Sequence, residues 1–125
     1  MVHDQPEPTA VRRSLANHYN WGNVCDGWVL SSNPELLVVE EHVPAGESEE
    51  WHVHDHAQQF FYVVAGEAQL HTPLGVTQLP EGSGVPVPAG LAHRFVNAGD
   101  SGVTFLVVSA PSTAEDRRPV RPPEL

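Results

Sequence analysis

Proline and glycine interrupt this chain so often that no long helix fits. Twelve Pro and ten Gly in 125 residues confine regular structure to short stretches between turn signals, because Pro removes a backbone donor and Gly weakens any element it interrupts. Between the interruptions, from Trp28 onward, β-branched and aromatic runs recur over residues 28–30, 36–43, 50–54, 59–64, 68–72, 76–79, 84–87, 93–97 and 102–109. Short strands at this spacing predict an all-β sandwich or barrel. Residues 10–18 are the exception: apolar positions at helical spacing without a breaker predict one short helical turn. No motif repeats at a fixed period, so one barrel is expected rather than a duplicated pair.

The length suits one domain, able to bury roughly two-thirds of its unfolded surface without disulfides. A hydrophobic fraction of 40% can supply its core. Sixteen acidic residues face six basic ones, all Arg, for a net charge of −10, a field that repels phosphate backbones and anionic membranes. Nucleic acid and membrane partners are therefore not expected. The longest apolar runs, 36–39 and 60–65, fall far short of the ~20 residues that span a bilayer. The amino terminus has neither the cationic start nor the apolar stretch of a secretory signal, and Cys25 has no partner for a disulfide, so a cytoplasmic protein is predicted. Residues 1–9 and 114–125 are rich in Pro and charge and are expected to be loose, leaving a folded domain over 10–113.

The chemistry concentrates in His52-Val53-His54. A strand's period of two puts both imidazoles on one face and Val53 on the other, so two nitrogens can reach one metal. Gln59 opens the next strand, with Phe61 in the same parity. His93 follows Pro88-Ala89-Gly90, a turn from which the chain re-enters a strand. Three strands thus offer side chains to one point. Imidazole suits Zn, Cu, Fe and Ni, and the Gln amide oxygen can serve as a weak ligand or a hydrogen-bond partner. The alternative reading makes His52 and His54 solvent-facing residues of an acidic strand.

The spacing of these residues resembles two motifs of the cupin superfamily. Gly46, five residues, His52-x-His54, four residues, Gln59, six residues, Gly66 resembles the first cupin motif, with Gln59 where the family usually carries Glu. Gly82, five residues, Pro88-x-Gly90, two residues, His93, three residues, Asn97 resembles the second. The likeness covers residues 46–97. It implies a small single-domain cupin, a double-stranded β-barrel of jelly-roll type, with one divalent transition metal per chain (Fe, Mn, Ni or Zn) held by His52, His54 and His93, a mouth open to small ligands, and a homodimer. It implies no particular reaction.

Gln59 in place of a carboxylate leaves a divalent ion with formally neutral ligands. The ion should be a stronger Lewis acid, be retained less tightly, and prefer a substrate arriving as a bidentate anion or enolate. Whether Gln59 ligates the metal or orients a bound water stays open. A general base must then come from elsewhere. His56 has inward parity just after His54 and is the catalytic candidate, against the plainer reading of an exposed loop histidine. Glu50 shares that parity, but the runs Glu47 to Glu50 and Glu40-Glu41 read as solvated surface. Phe61 and Phe95 are expected to wall the substrate pocket. Tyr19, Trp21 and Trp28 are expected either to pack in the core or an interface, or to stack on substrate at the mouth. Phe60, Tyr62 and Val64 form an apolar outer face that the amino-terminal segment or a second subunit must cover.

Two functions follow from this reading. One is a metal-dependent enzyme, either a dioxygenase or an isomerase or cyclase using Lewis-acid chemistry, acting on an oxygen-rich or enolisable small molecule. The other is a non-catalytic module that captures a small ligand or metal for sensing.

Overall fold

The structure, a computed structural model, describes residues 7–123. It contains β1 (Asn17–Trp21), β2 (Cys25–Asn33), β3 (Leu36–Val43), β4 (His52–Val53), β5 (Gln58–Ala65), β6 (Ala68–Thr72), β7 (Gly75–Leu79), β8 (Gly84–Val87), β9 (Arg94–Val96), β10 (Val103–Ala110) and β11 (Arg118–Pro119). A six-stranded sheet in the order β1-β2-β3-β10-β5-β8 faces a three-stranded sheet β7-β6-β9, and β4 pairs with β11. The strand pairs are antiparallel. This is the expected all-β jelly roll.

Alternation along the strands decides what lies between the sheets. In β10, Val103, Phe105, Val107 and Ser109 are buried, and in β5 so are Gln59, Phe61 and Val63. Leu70 and Phe95 come from the small sheet to meet them, and the Phe95 and Phe105 rings stack with centroids 3.8 Å apart. Each such aromatic, removed from water, contributes about 2–3 kcal/mol. Gly66 ends β5 at φ 95°, and a Cβ there would lie 2.8 Å from the Gly102 carbonyl oxygen. Only glycine meets both conditions.

The helical turn over 10–18 is a single 3-10 turn, Arg13–Leu15, because the chain is already extended at Asn17, where β1 begins its hairpin with β2. Within the carboxyl-terminal segment expected to be loose, β11 pairs with β4, Val120 N–H donates to Trp51 O at 3.0 Å, and the Arg118 guanidinium pairs with Asp55 at 2.9 Å. Asp116 accepts backbone N–H groups from Asp55, His56 and Ala57 at 3.1, 3.0 and 2.8 Å. Composition marked this segment as loose because it has few apolar groups, and polar contacts are what hold it. At the other end, residues 1–6 of the expected loose segment lie outside the described residues. Arg13 pairs with Glu40 and lies over the Trp28 ring, on β3 and β2. Phe60, Tyr62 and Val64 are left 42%, 39% and 45% exposed.

Candidate metal centre

β4 is only two residues long, yet it fixes the site. His52 N–H donates to His93 O at 3.1 Å and His93 N–H returns to His52 O at 3.0 Å, so the two residues form a reciprocal antiparallel pair. Directly paired residues project to the same face, and their ring centroids are 4.4 Å apart. Period two carries His54 to that face, 5.0 Å from the His52 ring and 5.8 Å from the His93 ring. The turn before His93 holds Gly90 at φ 83°, and its N–H donates to His54 O at 2.8 Å. One candidate ligand atom from each histidine lies within 4.8 Å of the other two, and all three residues are buried.

Hydrogen bonds set the tautomers. Nδ1 of His52, His54 and His93 faces the carbonyl oxygens of Glu50, Asp116 and Leu91, each at 2.8 Å. A carbonyl oxygen only accepts, so each Nδ1 carries the proton and each Nε2 presents a bare lone pair. Burial, the dominant cause, holds the three rings neutral: His52 and His93 fall to about 4, and His54 is lowered as well. Neutral imidazoles with free Nε2 atoms are the state that binds a cation.

Gln59 completes the wall. Its amide nitrogen donates to Ser109 Oγ at 3.0 Å, which turns its Oε1 toward His93 Nε2 at 3.1 Å. Two acceptors face one another there. A positive ion next to both resolves that repulsion, so the donor set fits a divalent metal.

His52, His54 and Gln59 line a cavity of about 550 Å³, with His93 set behind them, a size usual for small-molecule sites. Phe61 lines it; Phe95 lies behind in the core, against Phe61 and Phe105. Trp28 is absent from the lining and stacks with Arg13 and His18 on the outer side of β2, whereas Tyr19 and Trp21 line the cavity. His56 is exposed, in the turn whose N–H groups bind Asp116, and also lies off the lining. Cys25 is buried, and desolvation raises its thiol to about 11, away from a nucleophile's range.

Two carboxylates read as solvated surface are half-buried and line the cavity. Glu41 projects inward with Val39 and Val43, and burial with repulsion from Glu49 raises it to about 8. Glu49 Oε2 lies 3.8 Å from His52 Nε2, its Oε1 accepts the Phe95 N–H at 2.8 Å, and burial raises its pKa too. The parity of Glu41 with Val39 and Val43 was a readable signal. Glu49 lies outside any named strand and offered none. Glu50 is exposed at the rim, where it pairs with Arg117 at 3.3 Å.

Residues 39–109 match the family described as Cupin domain. A stretch of 59 residues is 37% identical to an uncharacterised protein of Streptomyces coelicolor, covering 46% of this chain and 56% of that one, so the match spans little more than half of that relative. The fold superposes on a conserved protein with a double-stranded β-helix domain from Klebsiella pneumoniae, with TM-score 0.77 and 26% identity over 93% of this chain and 100% of that chain. It also superposes on a polyketide cyclase from Streptomyces resistomycificus, with TM-score 0.79 and 20% identity over 94% and 89%. A match over residues 39–109, together with both histidine motifs in one double-stranded β-helix, establishes that the chain belongs to the cupin family.

Proposed function

We propose that this protein is a mononuclear metal cupin that acts as an enzyme on a small oxygen-rich or enolisable molecule. The observation that carries the reading is that Nδ1 of each histidine lies 2.8 Å from a carbonyl oxygen, which leaves each Nε2 free, in three histidines with one ligand nitrogen apiece within 4.8 Å of the others. His52, His54 and His93 would hold one divalent ion, Fe, Mn, Ni or Zn, with Gln59 Oε1 beside His93. When bound, such an ion supplies Lewis acidity and, if redox-active, dioxygen chemistry. The chain's own groups do the rest. Phe61 and Val107 exclude water from one wall. Ser109 holds the Gln59 amide in register, and the Nδ1 bonds keep each imidazole from rotating. The superposition on a polyketide cyclase, a likeness of fold, supports this reading. The exposed face of Phe60, Tyr62 and Val64 fits a homodimer, and a cytoplasmic location agrees with the acidic, single-cysteine composition.

The test is turnover. Iron-loaded and zinc-loaded protein would be mixed with diketones, thiols, phenols and flavonols, following oxygen uptake and product mass. Turnover lost in His93→Ala is the expected result. Silence across the panel with tight ligand binding contradicts the enzyme and leaves the non-catalytic module.

A further inference from the structure

The wall of the cavity formed by β1, β2 and β3 carries a second arrangement that none of the histidines uses. Tyr19, Gly27 and Glu41 lie in one row across these strands: Tyr19 pairs with Gly27, and Gly27 pairs with Glu41. A Cβ on Gly27 would collide with the end of the Tyr19 side chain, 2.1 Å from Cζ and 2.5 Å from the hydroxyl oxygen. The missing side chain is therefore what lets the ring lie flat over β2 and carry its hydroxyl to Glu41, where it donates to Oε2 at 3.1 Å. Both side chains line the cavity. The same cavity is lined by Glu47, Glu49 and Glu50 against the single cation Arg117, which already pairs with Glu50.

Resting on the metal-cupin reading above, we propose that the Tyr19–Glu41 pair seated over Gly27 selects the ligand, accepting molecules that present a hydroxyl or ammonium group at that wall and rejecting those that present a carboxylate or phosphate. Such a ligand fills two needs at once. An oxygen chelate meets the histidine end, and a hydrogen-bond donor meets the Glu41 carboxyl group at the cavity wall. A buried carboxylate gains most from a donor, a cationic one above all, and an anionic group brought beside Glu41 and Glu49 meets repulsion in a poorly solvated space. Burial and the neighbouring Glu49 raise Glu41 to about 8, so its negative charge is complete only above that pH, and an ammonium arm brought beside it favours the ionised form.

Three catechols separate the two ends, because the ring oxygens chelate while the arm reaches away: methylcatechol as reference, catechol with an aminoethyl arm, and catechol with a carboxyethyl arm. Their affinities for Co(II)-loaded full-length protein would be read at pH 9, where Glu41 is ionised and the aminoethyl arm still charged, from the visible Co(II) absorption under anaerobic conditions. The aminoethyl form should bind at least about tenfold tighter than the carboxyethyl form, the scale of one charge-assisted hydrogen bond. In Glu41→Gln and in Tyr19→Phe that ratio should shrink to within about threefold, each arm's affinity being taken relative to methylcatechol in the same variant. Gly27→Ala, which displaces the ring, should do likewise if it folds; the first two variants test the claim without it. Equal affinities of the two arms in wild type, or a ratio unchanged in Glu41→Gln, overturn the selection while leaving the metal reading intact. Methylcatechol that leaves the spectrum of bound Co(II) unaltered overturns this proposal alone, whereas protein that takes up no Co(II) overturns the metal reading and this proposal with it.

Discussion

The Nδ1–H of His54 donates to the main-chain oxygen of Asp116 across a sequence separation of 62 residues, at 2.8 Å. A segment with almost no apolar character thereby fixes the tautomer of a candidate metal ligand. Asp116 is itself anchored by three N–H groups of the Asp55–Ala57 turn. Asp116→Ala, or truncation after Thr113, should loosen this segment and weaken Zn(II) or Co(II) binding about 10–100-fold, the usual effect of losing a partner that orients a ligand. Competition against a chromophoric chelator measures it, and unchanged affinity would show that His54 needs no such support.

Gln59→Glu should tighten divalent-metal binding about tenfold or more, because a carboxylate replaces the amide oxygen that faces His93 Nε2 at 3.1 Å. Ser109→Ala should act in the opposite direction by freeing the amide that Ser109 now holds. The same chelator competition reads both. An affinity indifferent to Gln59→Glu would place residue 59 outside the ion's reach.

Burial raises Glu41 to about 8 from an ordinary 4.5. Between those values the folded chain keeps a proton that the unfolded chain has released, so stability falls as pH rises through this window. His52 and His93 act in a lower window, about 4 to 6.5, with the opposite sign, since there the unfolded chain binds the proton first. Thermal melts of metal-free wild type minus Glu41→Gln isolate the first effect. The variant should gain relative stability from pH 6 to pH 9, and a difference that is flat with pH would show Glu41 titrating as an exposed carboxylate.

Phe95→Ala should cost about 3–5 kcal/mol, because it opens a cavity against Phe105 and Phe61 in a fully buried stack. Chemical denaturation measures it. Phe60→Lys on the exposed outer face should leave monomer stability nearly unchanged and shift the species seen by light scattering from dimer to monomer. A wild-type protein monomeric at micromolar concentration would remove the dimer.

The sequence made the strands legible wherever β-branched and aromatic runs were bounded by Pro or Gly: β3, β6 and β8 begin and end where the pattern places them. It made the histidine trio legible too, because His-x-His in a strand and His93 after a Pro-x-Gly turn specify a face and a position. β1 was obscured because Asn17, His18 and Asn20 have weak strand preference, and its pairing with β2 supplies what local propensity lacks. Glu41 was misread from charge when the strand's alternation already pointed it inward beside Val39 and Val43. Phe95 and Trp28 were placed in the pocket by parity and by proximity in the chain, but parity cannot distinguish a pocket wall from the core behind it. The carboxyl-terminal contacts depend on backbone groups, the Asp116 carboxylate and the guanidinium groups of Arg117 and Arg118, which no composition argument ranks.

Metal content tests the central claim most directly. Full-length protein and its His52→Ala, His54→Ala and His93→Ala variants would be loaded with Co(II), freed of excess ion by gel filtration, and measured by elemental analysis beside their circular dichroism. One ion per wild-type chain, with each variant folded and close to metal-free, is the result expected here. Wild-type protein that elutes empty, or variants that retain the ion as fully as wild type, would contradict the assignment of these imidazoles to a metal.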